Sequence, residues 1–182
     1  MDYKEIYIKN VEKKSIYLPI WEKLCERAKE IIFNGLRYDK GYLYFFTIGL
    51  DDCLIDMTPI EQIFYVSNGV YELGIENNFS LCLDPQKYIN IKNKNYRCDF
   101  LIEYCCFDSF DHKLKKPIVI EVDGYDYHSS KKQMDYDYNR ENELKLSGYD
   151  VIRFTGSQIF NHPLKCMEKV YEYCKKAEFE EE

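Results

Sequence analysis

The hydrophobic positions of this chain alternate between a helical and an extended period. From about Tyr17 to Phe33, the apolar residues Ile20, Leu24, Ala28, Ile31 and Ile32 recur at helical spacing, and Asn34-Gly35 supplies a stop. Gly41 to Leu50 is aromatic and β-branched and predicts a strand. A second helix should start at Thr58-Pro59: Thr58 caps, Pro59 takes the first helical position, and Glu61 completes a capping box. Ile60, Phe64 and Tyr71 form its inner face. Strands follow near Phe79–Leu83, Tyr96–Cys106 and Pro117–Asp123, with Asp108–Lys116 as a polar hairpin turn. A third helix spans about Lys131–Leu146 and stops at Gly148. Val151–Phe154 then reads as a strand, Gly156–Ile159 as a turn with a short helix, and Pro163–Lys175 as the last helix. Helix, three strands, helix, strand, helix is the order of an α/β (α+β) sandwich with a mixed central sheet flanked by helices.

Within that pattern, Pro117 to Gly124 stands out. Ile118, Val119 and Ile120 make an apolar β-branched run suited to an inner strand. Glu121 and Asp123 follow at i and i+2, so both carboxylates leave one face. Asp99 lies 22 residues upstream in a similar apolar segment. Carboxylates clustered at buried strand ends are costly unless a cation or another partner neutralises them. Oxygen ligands of this kind suit a hard divalent ion such as Mg²⁺ or Mn²⁺.

Composition narrows the setting. A chain of 182 residues can bury one core, with room for a small added subdomain. No apolar run is long enough for a membrane helix, and Met1-Asp2-Tyr3-Lys4-Glu5 is charged rather than signal-like, so a soluble cytoplasmic protein is expected. The eight cysteines form no Cys-x-x-Cys pair and mostly sit in apolar patterns, which favours reduced, buried thiols over a zinc site. A net charge of −7 argues against a general nucleic-acid coat protein. A nuclease remains compatible, because metal-binding carboxylates add negative charge and phosphate contacts need only a local basic surface.

Asp99 followed by Glu121-Val122-Asp123 resembles the active-site signature of the PD-(D/E)xK, or restriction endonuclease-like, nuclease superfamily. Further matches are Ile120-Glu121-Val122-Asp123-Gly124, His128, Asp137, Arg140 and Gly148-Tyr149-Asp150-Val151-Ile152-Arg153-Phe154. Together these look like the DUF559 group, which is related to very-short-patch-repair endonucleases. Thr58-Pro59-Ile60-Glu61 and Gln86 match two more of its features, so the resemblance runs over about residues 58 to 160. The chain departs from the superfamily by carrying Asp123 where the usual lysine stands. The resemblance implies a restriction endonuclease-like core over 51–176, and leaves an N-terminal helix and strand over 1–50 unassigned; the acidic tail is 177–182, and its run Glu178–Glu182 is expected to fray.

It also implies a divalent-metal-dependent endonuclease that hydrolyses phosphodiester bonds in DNA, in defence, repair or a mobile element. Asp99, Glu121 and Asp123 would hold Mg²⁺ or Mn²⁺, Glu61 would orient a water, and His128 would act as general acid or base. Arg140, Lys131, Lys132 and Gln86 would contact substrate. Double-strand cutting would call for a homodimer or a partner protein.

Plainer readings stand beside these. Glu121 and Asp123 can be water-exposed strand-end carboxylates, Glu61 a pure cap, and His128 a solvated loop residue. Asp99 can pair with Arg97, Asp137 with Arg140 as a surface helical pair, and Arg153 with an acidic neighbour. Tyr125, Tyr127, Tyr136 and Tyr138 are expected to pack, with base stacking as the alternative. Two other functions stay open: an RNA-directed or structure-specific nuclease, and a catalytically degenerate nucleic-acid- or protein-binding module.

Overall fold

The computed structural model describes residues 3–13, 17–35, 52–74, 79–107, 110–123 and 131–180. The strand expected over Gly41–Leu50 lies outside the described residues. The chain divides into two units, Met1–Asn77 with Ile159–Glu168, and Asn78–Gln158 with Lys169–Glu182. Among the described residues no helix is long and apolar enough to cross a membrane.

The first unit is helical: α1 (Tyr3–Lys13), α2 (Leu18–Lys23), α3 (Glu26–Gly35), a short 3₁₀ helix (Asp52–Asp56) and α4 (Pro59–Gly74). The single helix expected from Tyr17 to Phe33 is instead broken. Leu24 turns extended at ψ 137°, and its N–H bonds back to Trp21 O. Gln62 explains the break: it is buried, accepts the Cys25 N–H at 2.9 Å, and donates to Leu54 O at 3.1 Å. Apolar spacing continues across the break, so periodicity alone does not reveal it. Gly35 ends α3 as expected. It also lets α4 come close, since a Cβ there would lie 2.7 Å from a Val70 methyl.

The second unit is built on a four-stranded sheet, ordered β1 (Phe79–Pro85), β4 (Phe100–Phe107), β5 (Phe110–Asp123), β6 (Asp150–Thr155). β1/β4 and β4/β5 are antiparallel, and β5/β6 are parallel. The parallel pair is joined through α5 (Lys131–Leu146), which stops at Gly148 with φ +91°. The chain ends with α6 (Gly156–Asn161) and α7 (Pro163–Cys174). A mixed central sheet flanked by helices is thus what the chain forms, consistent with a restriction endonuclease-like core.

Three details depart from the expectations. The strand expected over Tyr96–Cys106 is two strands with a joint at Cys98-Asp99, and its first part belongs to a hairpin of β2 (Tyr88–Ile91) and β3 (Lys94–Arg97). Lys92 and Asn93 turn that hairpin at φ 49° and 66°, the left-handed geometry of a tight hairpin turn. The expected hairpin turn over Asp108–Lys116 is mostly strand, because β5 begins at Phe110. The acidic tail is not frayed over Glu178–Glu180. Lys115 N–H donates to Glu178 O, Glu180 N–H donates to Lys113 O, and Leu114 bridges Phe179.

The cysteines are free, and Cys98, Cys105, Cys166 and Cys174 are buried as small hydrophobes, while Cys82 is exposed. One face of the sheet packs Leu101 and Val119 with Ile89, Ile91, Tyr96 and Cys98 from the hairpin side and Leu144 from α5. Val119 and its neighbours through Val122 are buried on both faces, as the apolar run requires.

Candidate active site

β5 carries Glu121 and Asp123 at its C-terminal end. The parallel register sets Glu121 beside Arg153 and Asp123 beside Thr155 of β6. On the other side, Phe100 pairs with Ile120, so Asp99 arrives next to this end of the strand. Asp99 Oδ2 accepts the Val122 N–H at 2.7 Å. The Asp99 carbonyl accepts the Gln86 N–H at 2.8 Å, and Cys98 N–H donates to Lys87 O at 2.9 Å. The joint between β3 and β4 is therefore clamped by the segment leaving β1.

Glu121 is 7% exposed. Its Oε1 lies 2.7 Å from Arg140 Nη2, and the same nitrogen donates to Arg97 O at 2.6 Å. Arg140 thus reaches off α5 to the strand carboxylate, a partner beyond its helical neighbour Asp137. Arg153 Nη1 lies 3.6 Å from Asp123 Oδ1, so Arg153 is the partner of an acidic group, as expected. Glu121 is not a water-exposed strand-end carboxylate, and Asp123 is only part-buried.

The charges are held under tension. Burial pushes the Glu121 carboxyl above the ordinary range, Arg140 and then Arg153 pull it back, and Asp123 adds repulsion. Burial likewise raises Asp123, with Arg153 opposing and Asp137 reinforcing. For Arg140, burial works against the cation, and Glu121 together with Asp99 and Cys98 more than offsets it, leaving its pKa above the usual value. The Cys98 thiol, beside Glu121, is pushed by burial up to about 12 and stays protonated.

Gln86 is a further element of this end. Its backbone is left-handed at φ 54°, and both polar atoms of its side chain are buried without a hydrogen-bond partner in the protein. A buried amide with neither end satisfied costs about 1–3 kcal/mol per group unless a ligand or water completes it.

Other expected site residues lie elsewhere or are not described. Glu61 belongs to the first unit, and its carboxylate is engaged in the cap: Oε2 accepts the Thr58 N–H at 2.9 Å, and Glu61 N–H donates to Thr58 Oγ1 at 3.4 Å. Lys131 and Lys132 open α5. His128, Gly124, Tyr125 and Tyr127 lie outside the described residues. Tyr136 and Tyr138, expected to pack, are exposed by 57% and 68%. Sequence spacing missed the Arg140–Glu121 pair, because no local rule connects residues on a helix and on the strand before it.

Among the described residues, no group of three or more His, Cys, Asp or Glu is arranged to hold a metal ion. The donor chemistry nevertheless fits a hard divalent cation. Among the described residues, Asp99, Glu121 and Asp123 meet at this end, and each of them offers only oxygen donors. No curated protein and no solved structure matches the chain. Residues 85–173 match the model of the restriction endonuclease-like family REase_MTES_1575, which suggests a nuclease and supports the superfamily to which the motifs point.

Proposed function

We propose that this protein is a divalent-metal-dependent endonuclease acting on DNA, close to the DUF559 and very-short-patch-repair-like group. The observation that carries the reading is the convergence of Asp99 with Glu121 and Asp123 at the buried end of β5, where Asp99 Oδ2 accepts the Val122 N–H. Asp99, Glu121 and Asp123 would hold Mg²⁺ or Mn²⁺. Bound there, the ion would acidify a water and draw charge from the phosphoryl oxygens.

The chain's own groups do the rest. Arg153 holds Asp123 in place from the neighbouring strand. The unsatisfied Gln86 amide orients a water or a phosphate oxygen. Arg140, Lys131 and Lys132 offer positive charge to the substrate backbone. His128 protonates the leaving oxygen. A homodimer or a partner protein would supply the second cut on a duplex.

The pairing of Glu121 with Arg140 at 2.7 Å favours a second reading, a catalytically silent nucleic-acid-binding module, because the guanidinium already occupies the cation position. Plasmid, single-stranded DNA and RNA incubated with Mg²⁺, Mn²⁺ or EDTA, using wild type and Glu121→Ala, separate the readings. The nuclease cuts DNA only with metal and loses cutting in the variant. Cutting of RNA alone replaces the substrate. Absence of cutting with retained binding supports the silent module.

A further inference from the structure

α5 is polar almost all round. Leu144 is its buried residue among those whose side chains are described, while Met134, Tyr136, Tyr138 and Leu146 are exposed. A helix of this kind is held by little apolar contact, so its composition calls for another explanation. Tyr136, Asn139, Glu143 and Leu146 follow at i, i+3, i+7 and i+10 and share one face. That face and the β3 residues Lys94 and Tyr96 line a groove of about 350 Å³.

The groove's chemistry is specific. Glu143 accepts from Lys94 Nζ at 2.8 Å and from the Tyr96 hydroxyl, which fixes the carboxylate in place. These two partners hold its pKa below the ordinary value, so it stays an acceptor at neutral pH. Asn139 and Asn142 also line the groove, and among the described residues their amides have no protein partner. Tyr136 presents an exposed ring. Arg140 lies in the same groove, its guanidinium 5.9 Å from the Tyr96 ring centroid and 2.7 Å from Glu121. The groove therefore adjoins the candidate active site through one side chain.

We propose that this groove receives one nucleobase of the substrate strand, next to the phosphate presented to Glu121. The inference rests on the nuclease reading and adds a base-recognition subsite to it. Tyr136 offers a stacking face, which is tolerant of base identity. Asn139 and Asn142 each offer a donor and an acceptor to a base edge, and the Glu143 carboxylate accepts from an exocyclic amino group. The volume is at the small end of ligand cavities, which suits one planar group. A docked protein helix would need an apolar stripe, which this face lacks.

The test is binding of short single-stranded DNA, with cleavage suppressed by EDTA, compared with an oligonucleotide of the same length lacking its bases. Wild type and Tyr136→Ala/Asn139→Ala are measured by fluorescence anisotropy. Both residues are exposed, and a thermal melt verifies that the variant folds. The groove predicts roughly a ten-fold loss of affinity for the base-bearing strand, and no loss for the abasic one. An equal loss on both strands, no loss on either, or wild-type binding that ignores bases overturns it. Failure here with Glu121-dependent cutting intact removes the subsite and leaves the nuclease. A base-dependent loss without cutting by wild type keeps the subsite and removes the nuclease.

Discussion

The two ends of β5 use ion pairs in opposite ways. Toward Phe110 the strand is mostly exposed, with Leu114 buried and His112 part-buried, and its lysines reach outward: Lys113 to Glu180 at 2.9 Å and Lys115 to Glu178 at 3.2 Å. Toward Asp123 the strand is buried, and its carboxylates are met by arginines. The side chains of the Lys113–Glu180 pair are 43% and 50% exposed, and those of the Arg140–Glu121 pair are 13% and 10% exposed. Solvent screens the first pair and hardly reaches the second. Similar distances, 2.9 Å for Lys113–Glu180 and 2.7 Å for Arg140–Glu121, thus stand for unequal energies. The outer end is anchored at the buried Leu114 and decorated with charge; the inner end stores charge that must stay neutralised.

The largest effect should come from removing one inner partner. Arg140→Met leaves Glu121 buried beside Asp123, and the expected cost is about 3 kcal/mol at neutral pH, read from urea unfolding. Adding Glu121→Gln in the same chain should restore a good part of it, because the stranded charge is then gone. A single variant as stable as wild type would show that water reaches this end, and the contrast would collapse.

Leu114→Ala probes the outer end. Leu114 is 1% exposed and its backbone bridges Phe179, so loss of the buried side chain should cost about 2–4 kcal/mol. It should also release the Glu178–Glu180 segment, visible as faster amide exchange there.

Protonation gives a smaller effect with a definite sign. Glu121 and Asp123 have folded pKa values raised by burial, so the folded state favours their protonated forms. The associated stability is present below the ordinary carboxylate range and is lost as pH rises through the raised values. The thermal midpoint of Glu121→Gln should therefore fall less than that of wild type across this interval. An unchanged slope would mean that Glu121 is not burdened by its burial.

What the sequence made legible follows the range of the interactions involved. The apolar run before Glu121, the Thr58–Glu61 box and the Gly148 stop are local signals, and each formed where expected. The β2–β3 hairpin escaped because Lys92 and Asn93 make a left-handed turn without glycine. The break before α3 escaped because Gln62, distant in sequence, takes the Cys25 N–H. At the site, the carboxylates were visible as a motif. Their counter-charges were not, since Arg140 reaches from its helix to a strand residue, and Gln86 entered by resemblance and not by its unsatisfied amide.

The smallest effects belong to the outer lysines, and they sharpen the contrast most. Lys113→Ala and Lys115→Ala should each leave the urea midpoint close to that of wild type, because both members of each pair keep access to water when parted. Added salt should shrink even that difference, whereas Arg140→Met should respond far less to salt. Urea midpoints at low and high salt for the three variants test this directly. If an outer lysine costs as much as Arg140, or if its effect survives high salt, exposure is not what separates the two ends. The inner carboxylates would then need no special neutralisation, and the reason for expecting a divalent cation beside Glu121 would weaken with it.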